Sequence, residues 1–161
     1  PTLRRLQQCD IDTGHFYVQV TDYLSEVTKA LIHITRPAFG HIDNNHEGLS
    51  KEQIVDLMRV NDQVEAIFDK INDMLRTKDF SDLDMVLEMR DKLFDTIVEA
   101  IKNQLRRING DPAASTRASV LYLTILNETK TMILQARNLL KSQRYFLDHK
   151  GQTTDWLSLT K

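Results

Sequence analysis

The sequence predicts an all-α fold, an antiparallel up-down bundle of about four long helices. Three observations lead there. Apolar residues recur at helical spacing through four long stretches. The five Gly and three Pro of the 161 residues are few and fall at punctuation points. The connections between stretches are short, which places successive helices side by side and antiparallel.

Residues 1–13 read as a polar lead-in arm, with Arg4 and Arg5 beside Leu3 and Leu6. The bundle proper is expected over 14–150. From about His15, Phe16, Val20, Tyr23, Leu24, Val27, Leu31 and Ile34 form one stripe. Pro37 should end or kink this helix, because it removes a backbone donor and crowds the preceding turn. Ala38, Phe39 and Ile42 can carry it two turns further. The segment Gly40–Gly48 then reads as a turn with capping Asn and Asp residues. His41, Asp43 and His46 are metal-ligand types, but their spacing matches no zinc box, and on a helix the two imidazoles would point well apart.

Ser50 caps the next helix, and Gln53 completes a capping box. The stretch from Ser50 to Gly110 reads as two helices joined by a turn at Lys78–Ser81. Leu57, Val64, Phe68, Ile71 and Leu75 form the stripe of the first; Leu83, Leu87, Phe94, Ile97, Ile101, Leu105 and Ile108 form that of the second. Gly110 suits the left-handed position past a helix end, with Asp111 as cap and Pro112 at the first position of the last helix. That helix is expected to run to Asp148 and to stop at Gly151. Its apolar residues fill two adjacent seven-residue registers, Ile125, Met132, Leu139, Phe146 and Leu126, Ile133, Leu140, Leu147, with Tyr122, Thr129 and Ala136 on the same face. So wide a stripe suits the interior of a bundle. Residues 151–161, with the single Trp156, are left as a C-terminal tail.

The hairpin also carries paired carboxylates. Glu65 and Asp69 are four apart on its first helix, Asp91 and Asp95 four apart on its second. Folding about position 80 brings Glu65 level with Asp95 and Asp69 level with Asp91. At about 100° per residue, both pairs lie on the positive flank of their stripes, roughly 100–140° from Val64 and 60–100° from Phe94. Two positive flanks of antiparallel neighbours look into one groove for one handedness of the bundle and away from each other for the other. Solvated helix surface is the alternative reading of such pairs.

Composition narrows the function. One domain of this length buries a core without metal or disulfide staples, and Cys9, the single cysteine, excludes an internal disulfide. Lys and Arg number 21 against 23 Asp and Glu, so no electrostatic footprint for nucleic acid exists at whole-chain level. No apolar run approaches the roughly 18–20 residues that span a bilayer. There is no Gly-rich phosphate loop, nucleophile elbow or paired Glu-x-x-His motif, so no catalysis is expected. His33, three before Arg36, is the best candidate for a histidine phosphotransfer bundle, the least favoured reading. No arginine cluster or Gly-rich anion nest declares a phosphate site.

Two sets of residues carry a family resemblance. Asn61–Asp69 and Asp91–Asp95 look like the E/D-x-x-x-D motif of PhoU-like domains, all-helical regulators of bacterial phosphate uptake. His15–Leu24 and His41–His46 resemble the C-terminal cytoplasmic domain of bacterial inorganic phosphate permeases, a likeness extending over about residues 10–150. The resemblance implies a PhoU-like bundle on the cytoplasmic side of the inner membrane, regulating phosphate uptake, with the transmembrane part of the transporter as partner and no membrane insertion of its own. A homodimer is compatible with it, and Pro1 in place of Met agrees with a domain cut from a longer chain. It also implies divalent or iron ions on Glu65, Asp69, Asp91 and Asp95, with Asp62 and Glu99 as outer candidates; hard carboxylate oxygens suit Mg²⁺, Ca²⁺, Mn²⁺ or Fe. A protein–protein adaptor bundle without metal is the alternative.

Overall fold

In the computed structural model, the backbone of residues 2–110 and 116–158 and the side chains of residues 14–110 and 116–148 are described. The chain forms four helices in order: α1 (Thr2–Asp43), α2 (Lys51–Thr77), α3 (Leu83–Gly110) and α4 (Thr116–Ser158). No strand occurs among the described residues.

The boundaries follow local chemistry. α1 continues through Pro37 for the two turns that Ala38, Phe39 and Ile42 allow. It closes at Asn44 and Asn45, whose amides donate to Gly40 and Ile42 carbonyls at 3.1 and 3.0 Å; Asn45 adopts φ 51°, a conformation Asn tolerates better than most residues. The Ser50 hydroxyl accepts from Gln53 N at 3.2 Å while Gln53 Oε1 accepts from Ser50 N at 2.8 Å, the reciprocal box expected there. Lys78, at φ 59°, closes α2 in the left-handed region. Asp79 Oδ1 then accepts from Ser81 N at 3.0 Å and shapes the hairpin turn.

The backbone of 2–13 is helical and continuous with α1. Two sequence expectations are corrected. Gly110 is the last residue of α3 and does not take a positive φ. α4 passes through Gly151 and on to Ser158, since one glycine costs a helix only about 1 kcal/mol. Asp111 and Pro112 lie outside the described residues, as do the side chains of the tail, Trp156 included.

α2, α3 and α4 enclose the core. Val60, Ile67 and Ile71 of α2, Leu93, Ile97 and Ala100 of α3, and Tyr122, Leu126, Ile133 and Leu140 of α4 are buried together. α1 lies outside this trio and, among the described residues, packs on α4 alone, its backbone making no close approach to α2 or α3. The pairing is antiparallel and in register over most of its length: the Phe16 and Phe146 rings stack at 4.2 Å, His33 Nδ1 lies 3.4 Å from Glu128, and His46 meets Arg117 at 2.7 Å. α4 therefore touches all three other helices, which accounts for its wide apolar face.

A buried polar network fixes the heights of α2, α3 and α4. Gln53 Nε2 donates to Gln104 Oε1 at 3.0 Å, and Gln104 Nε2 donates to Ser119 Oγ at 2.9 Å. Arg107 donates to Gln104 Oε1 at 3.0 Å and to Asp56 Oδ2 at 3.1 Å, where the Tyr122 hydroxyl also donates at 2.9 Å. Buried amides and hydroxyls are costly unless partnered, so this set tolerates one register and penalises a slip.

Candidate functional site

Beyond the Gln53–Gln104 and Arg107–Asp56 contacts, three more mark the α2–α3 seam: Gln63 donates to Thr96 at 3.2 Å, Lys70 donates to Asp82 at 2.8 Å, and Arg59 lies 3.9 Å from Glu99. The hairpin thus folds about position 80, and Glu65 stands level with Asp95 and Asp69 with Asp91. Level is not facing. At 100° per residue, Glu65 and Asp69 are turned roughly 120–160° away from Gln63, and Asp91 and Asp95 roughly 100–140° away from Thr96. All four are exposed, and Asp91 is paired with Arg90 at 2.6 Å. Of the outer candidates, Asp62 lines a groove between α1 and α2, while Glu99 stands on the α2–α3 seam.

The structure therefore does not assemble Glu65, Asp69, Asp91 and Asp95 into one metal-binding group. Among the described residues no three His, Cys, Asp or Glu side chains gather in such an arrangement. The physical reason is handedness. α4 lies on the positive side of α3, where Lys130 sits 5.3 Å over the Phe94 ring, and α1 lies on the positive side of α2. The two acidic flanks are sent to opposite sides of the hairpin.

What the bundle builds instead is the groove beside Glu65 and Asp69. α1 and α2 both rest on α4 without meeting, leaving an open trough of about 720 Å³. Ile125, Thr129 and Met132 of α4 form its floor, Val27, Leu31 and Ile34 one wall, and Ile54, Leu57, Met58 and Phe68 the other. The walls are apolar yet wet: Leu31 is 45% exposed and Met58 63%. On α1 the exposed apolar surface continues at seven-residue spacing through Tyr17, Leu24 and Leu31, and ends at Ile42. The trough thus joins a longer run of exposed apolar surface. Its polar rim is acidic, with Asp62 in the lining and Glu65 and Asp69 on the same flank of α2.

Sequence reasoning placed Leu24 and Leu31 in the α1 core stripe, with Phe16, Val20, Tyr23, Val27 and Ile34. The structure half-buries those five and leaves Leu24 and Leu31 open. Periodicity finds an apolar face but does not say which edge of it a neighbour covers. His33, the phosphotransfer candidate, is exposed and directed at Glu128 of α4.

The chain matches no family model, no curated protein and no solved structure.

Proposed function

We propose that this chain is a regulatory docking domain of an inorganic phosphate transporter, and that it receives a helical segment of the transporter in the α1–α2 groove. The observation that carries the docking is the apolar trough with one acidic rim. An occupant helix would present an apolar face to Leu31, Met58 and Phe68 and basic residues to Asp62, Glu65 and Asp69. Segments flanking transmembrane helices on the cytoplasmic side are rich in Lys and Arg, which suits them to such a rim. The identity of the transporter comes from the sequence likeness of His15–Leu24 and His41–His46 to phosphate permease C-terminal domains. On this reading Glu65 and Asp69, the pair beside the groove, act as charges toward a partner, and neither catalysis nor a bound metal is invoked.

The test is phosphate uptake in cells whose own copy carries Leu31→Glu and Met58→Glu. Both side chains are well exposed, so the fold should tolerate the changes, and thermal unfolding of the purified chain checks that it does. Uptake is expected to lose its response to external phosphate. An unchanged response would overturn the reading. Unchanged uptake together with loss of an unrelated binding partner would favour the adaptor bundle instead.

A further inference from the structure

At the end of α1 two imidazoles meet an arginine from the start of α4. His41 is 9% exposed, and its Nε2 lies 2.7 Å from the Glu47 carbonyl oxygen. A carbonyl only accepts, so that nitrogen carries the proton. The His46 ring stands edge-on to His41 with centroids 5.3 Å apart, because the chain leaves the helix after Asp43 and turns back. On a continuous helix the two would have pointed apart. Arg117 Nη1 lies 2.7 Å from His46 Nε2 and 3.1 Å from Nδ1. Arginine has no acceptor, so the imidazole accepts and is neutral in this arrangement. Partial burial, then Arg117, then His41 hold His46 below the usual histidine range.

A cavity of about 350 Å³ opens beside these groups. His41, His46, Arg117, Asn44 and Thr124 line it, and among the described residues no carboxylate does; Asp43 and Glu47 are exposed and outside it. Arg59, Arg90 and Arg107 each have a carboxylate within ion-pair distance. Arg117, like Arg36, Arg106 and Arg137, has no carboxylate within ion-pair distance among the described residues, and its hydrogen bonding there goes to the His46 imidazole. A guanidinium left to an imidazole is short of negative charge, and its planar fork of donors matches an oxyanion.

We propose that this cavity binds a small tetrahedral oxyanion of the phosphate or sulfate class, gripped by Arg117 and His46 and backed by His41. The bound anion joins the end of α1 to the start of α4, and it stabilises a proton on His46 that partial burial, Arg117 and His41 otherwise disfavour. This goes beyond the docking reading and does not rest on it.

The experiment is a titration of the purified chain with inorganic phosphate and, separately, sulfate, following the His46 imidazole resonances by NMR at constant ionic strength. A saturable His46 shift is expected with both anions, weakened at least tenfold in Arg117→Met. A second variant, Gly40→Leu, extends a side chain into the cavity from the α1 side, and the Cβ it adds meets no atom within 4 Å. It too should abolish the shift while leaving the helical circular dichroism unchanged. Sulfate stays dianionic between pH 8 and 5.5, so tighter sulfate binding at the lower pH reports protonation of the protein. The groups that face or flank His46 are His41, Asp43, Glu47 and Arg117, and only a histidine gains a positive charge over this range. No saturable His46 shift with either anion, or equal shifts in wild type, Arg117→Met and Gly40→Leu, would overturn the proposal and leave the docking groove untouched.

Discussion

Tyr122 lies at the point where α2, α3 and α4 meet. Its side chain is fully buried and its hydroxyl donates to Asp56 Oδ2 at 2.9 Å, with the Arg107 guanidinium 5.5 Å over the ring. Burial, reinforced by the Asp56 carboxylate, pushes the phenol up to about 12. Tyr122→Phe leaves Asp56 still paired with Arg107, so the loss is that of one hydrogen bond to a charged group, roughly 1.5–3 kcal/mol. For a chain of this size each kcal/mol moves Tm by about 2–4 °C, which thermal unfolding resolves. The sign with pH follows from the raised value. The folded phenol holds its proton more tightly than the unfolded one, so this contribution is complete below pH 10 and is lost as pH rises towards 12. Tyr122→Phe should therefore lose less stability than wild type over that window, and equal losses would show that the buried hydroxyl is not the titrating group. His46 works with the opposite sign. Its value is lowered in the fold, so the unfolded chain binds the proton more readily, and stability falls as pH drops below the usual histidine range. Replacing it in His46→Gln should flatten the dependence of Tm on pH between 7.5 and 5.5; an unaltered slope would assign the effect to other histidines.

The hairpin shows what one element's sequence says and where it stops. The Lys78–Ser81 turn, the capping box at Ser50 and the alignment of Glu65 with Asp95 were all legible, because each rests on neighbours in sequence or on a count of residues about one turn. Which side of the hairpin receives α4 rests on packing between segments far apart, and no spacing within α2 or α3 encodes it. The alignment of the acidic pairs could therefore be counted out from the turn, while their facing was left open until the packing of α4 decided it. The contact between His46 and Arg117 is hidden for the same reason, as the two residues are 71 positions apart. Gln53 carries more than the capping box revealed: its Oε1 closes the box while its Nε2 reaches Gln104 across the seam. Two substitutions separate these roles. Ser50→Ala removes the cap alone and should cost about 1 kcal/mol in urea unfolding. Gln53→Glu keeps an acceptor for Ser50 N but sets a buried carboxylate against Gln104 Oε1, which should cost roughly 2–4 kcal/mol through lost bonding and an unpaired buried charge. If Ser50→Ala proved the more damaging, the seam contact would contribute little to stability.

Over the whole molecule, burial is divided unequally. Among the described residues α1 contributes only Ala30 and His41 to the buried set, while α2, α3 and α4 supply the rest. The long length of α1 does not compensate, since an isolated helix is marginal in water and gains its stability from packing, here against α4 alone. The four helices were legible because periodicity is local; the arrangement of three plus one was not, because the α1 stripe of Phe16, Tyr23, Leu24 and Leu31 is apolar enough for a fully enclosed helix. The unequal burial predicts unequal opening. In native-state hydrogen exchange, amides of α3 around Leu93, Ile97 and Ala100 should exchange only through global unfolding, whereas amides of α1 should exchange through a smaller opening that leaves α2–α4 closed. The slope of exchange free energy against denaturant separates the two cases, because the partial opening exposes less surface and its slope should be markedly shallower. Uniform protection along α1 and α3, with one common slope, would mean that all four helices form a single cooperative unit. The distinction bears on the groove. If α1 opens separately, a helix seated between α1 and α2 covers Leu31 and Met58 together and must slow α1 exchange while leaving α3 unchanged. Docking would then be reported across the length of α1, from Tyr17 to Ile42 and so into the His41–His46–Arg117 contact.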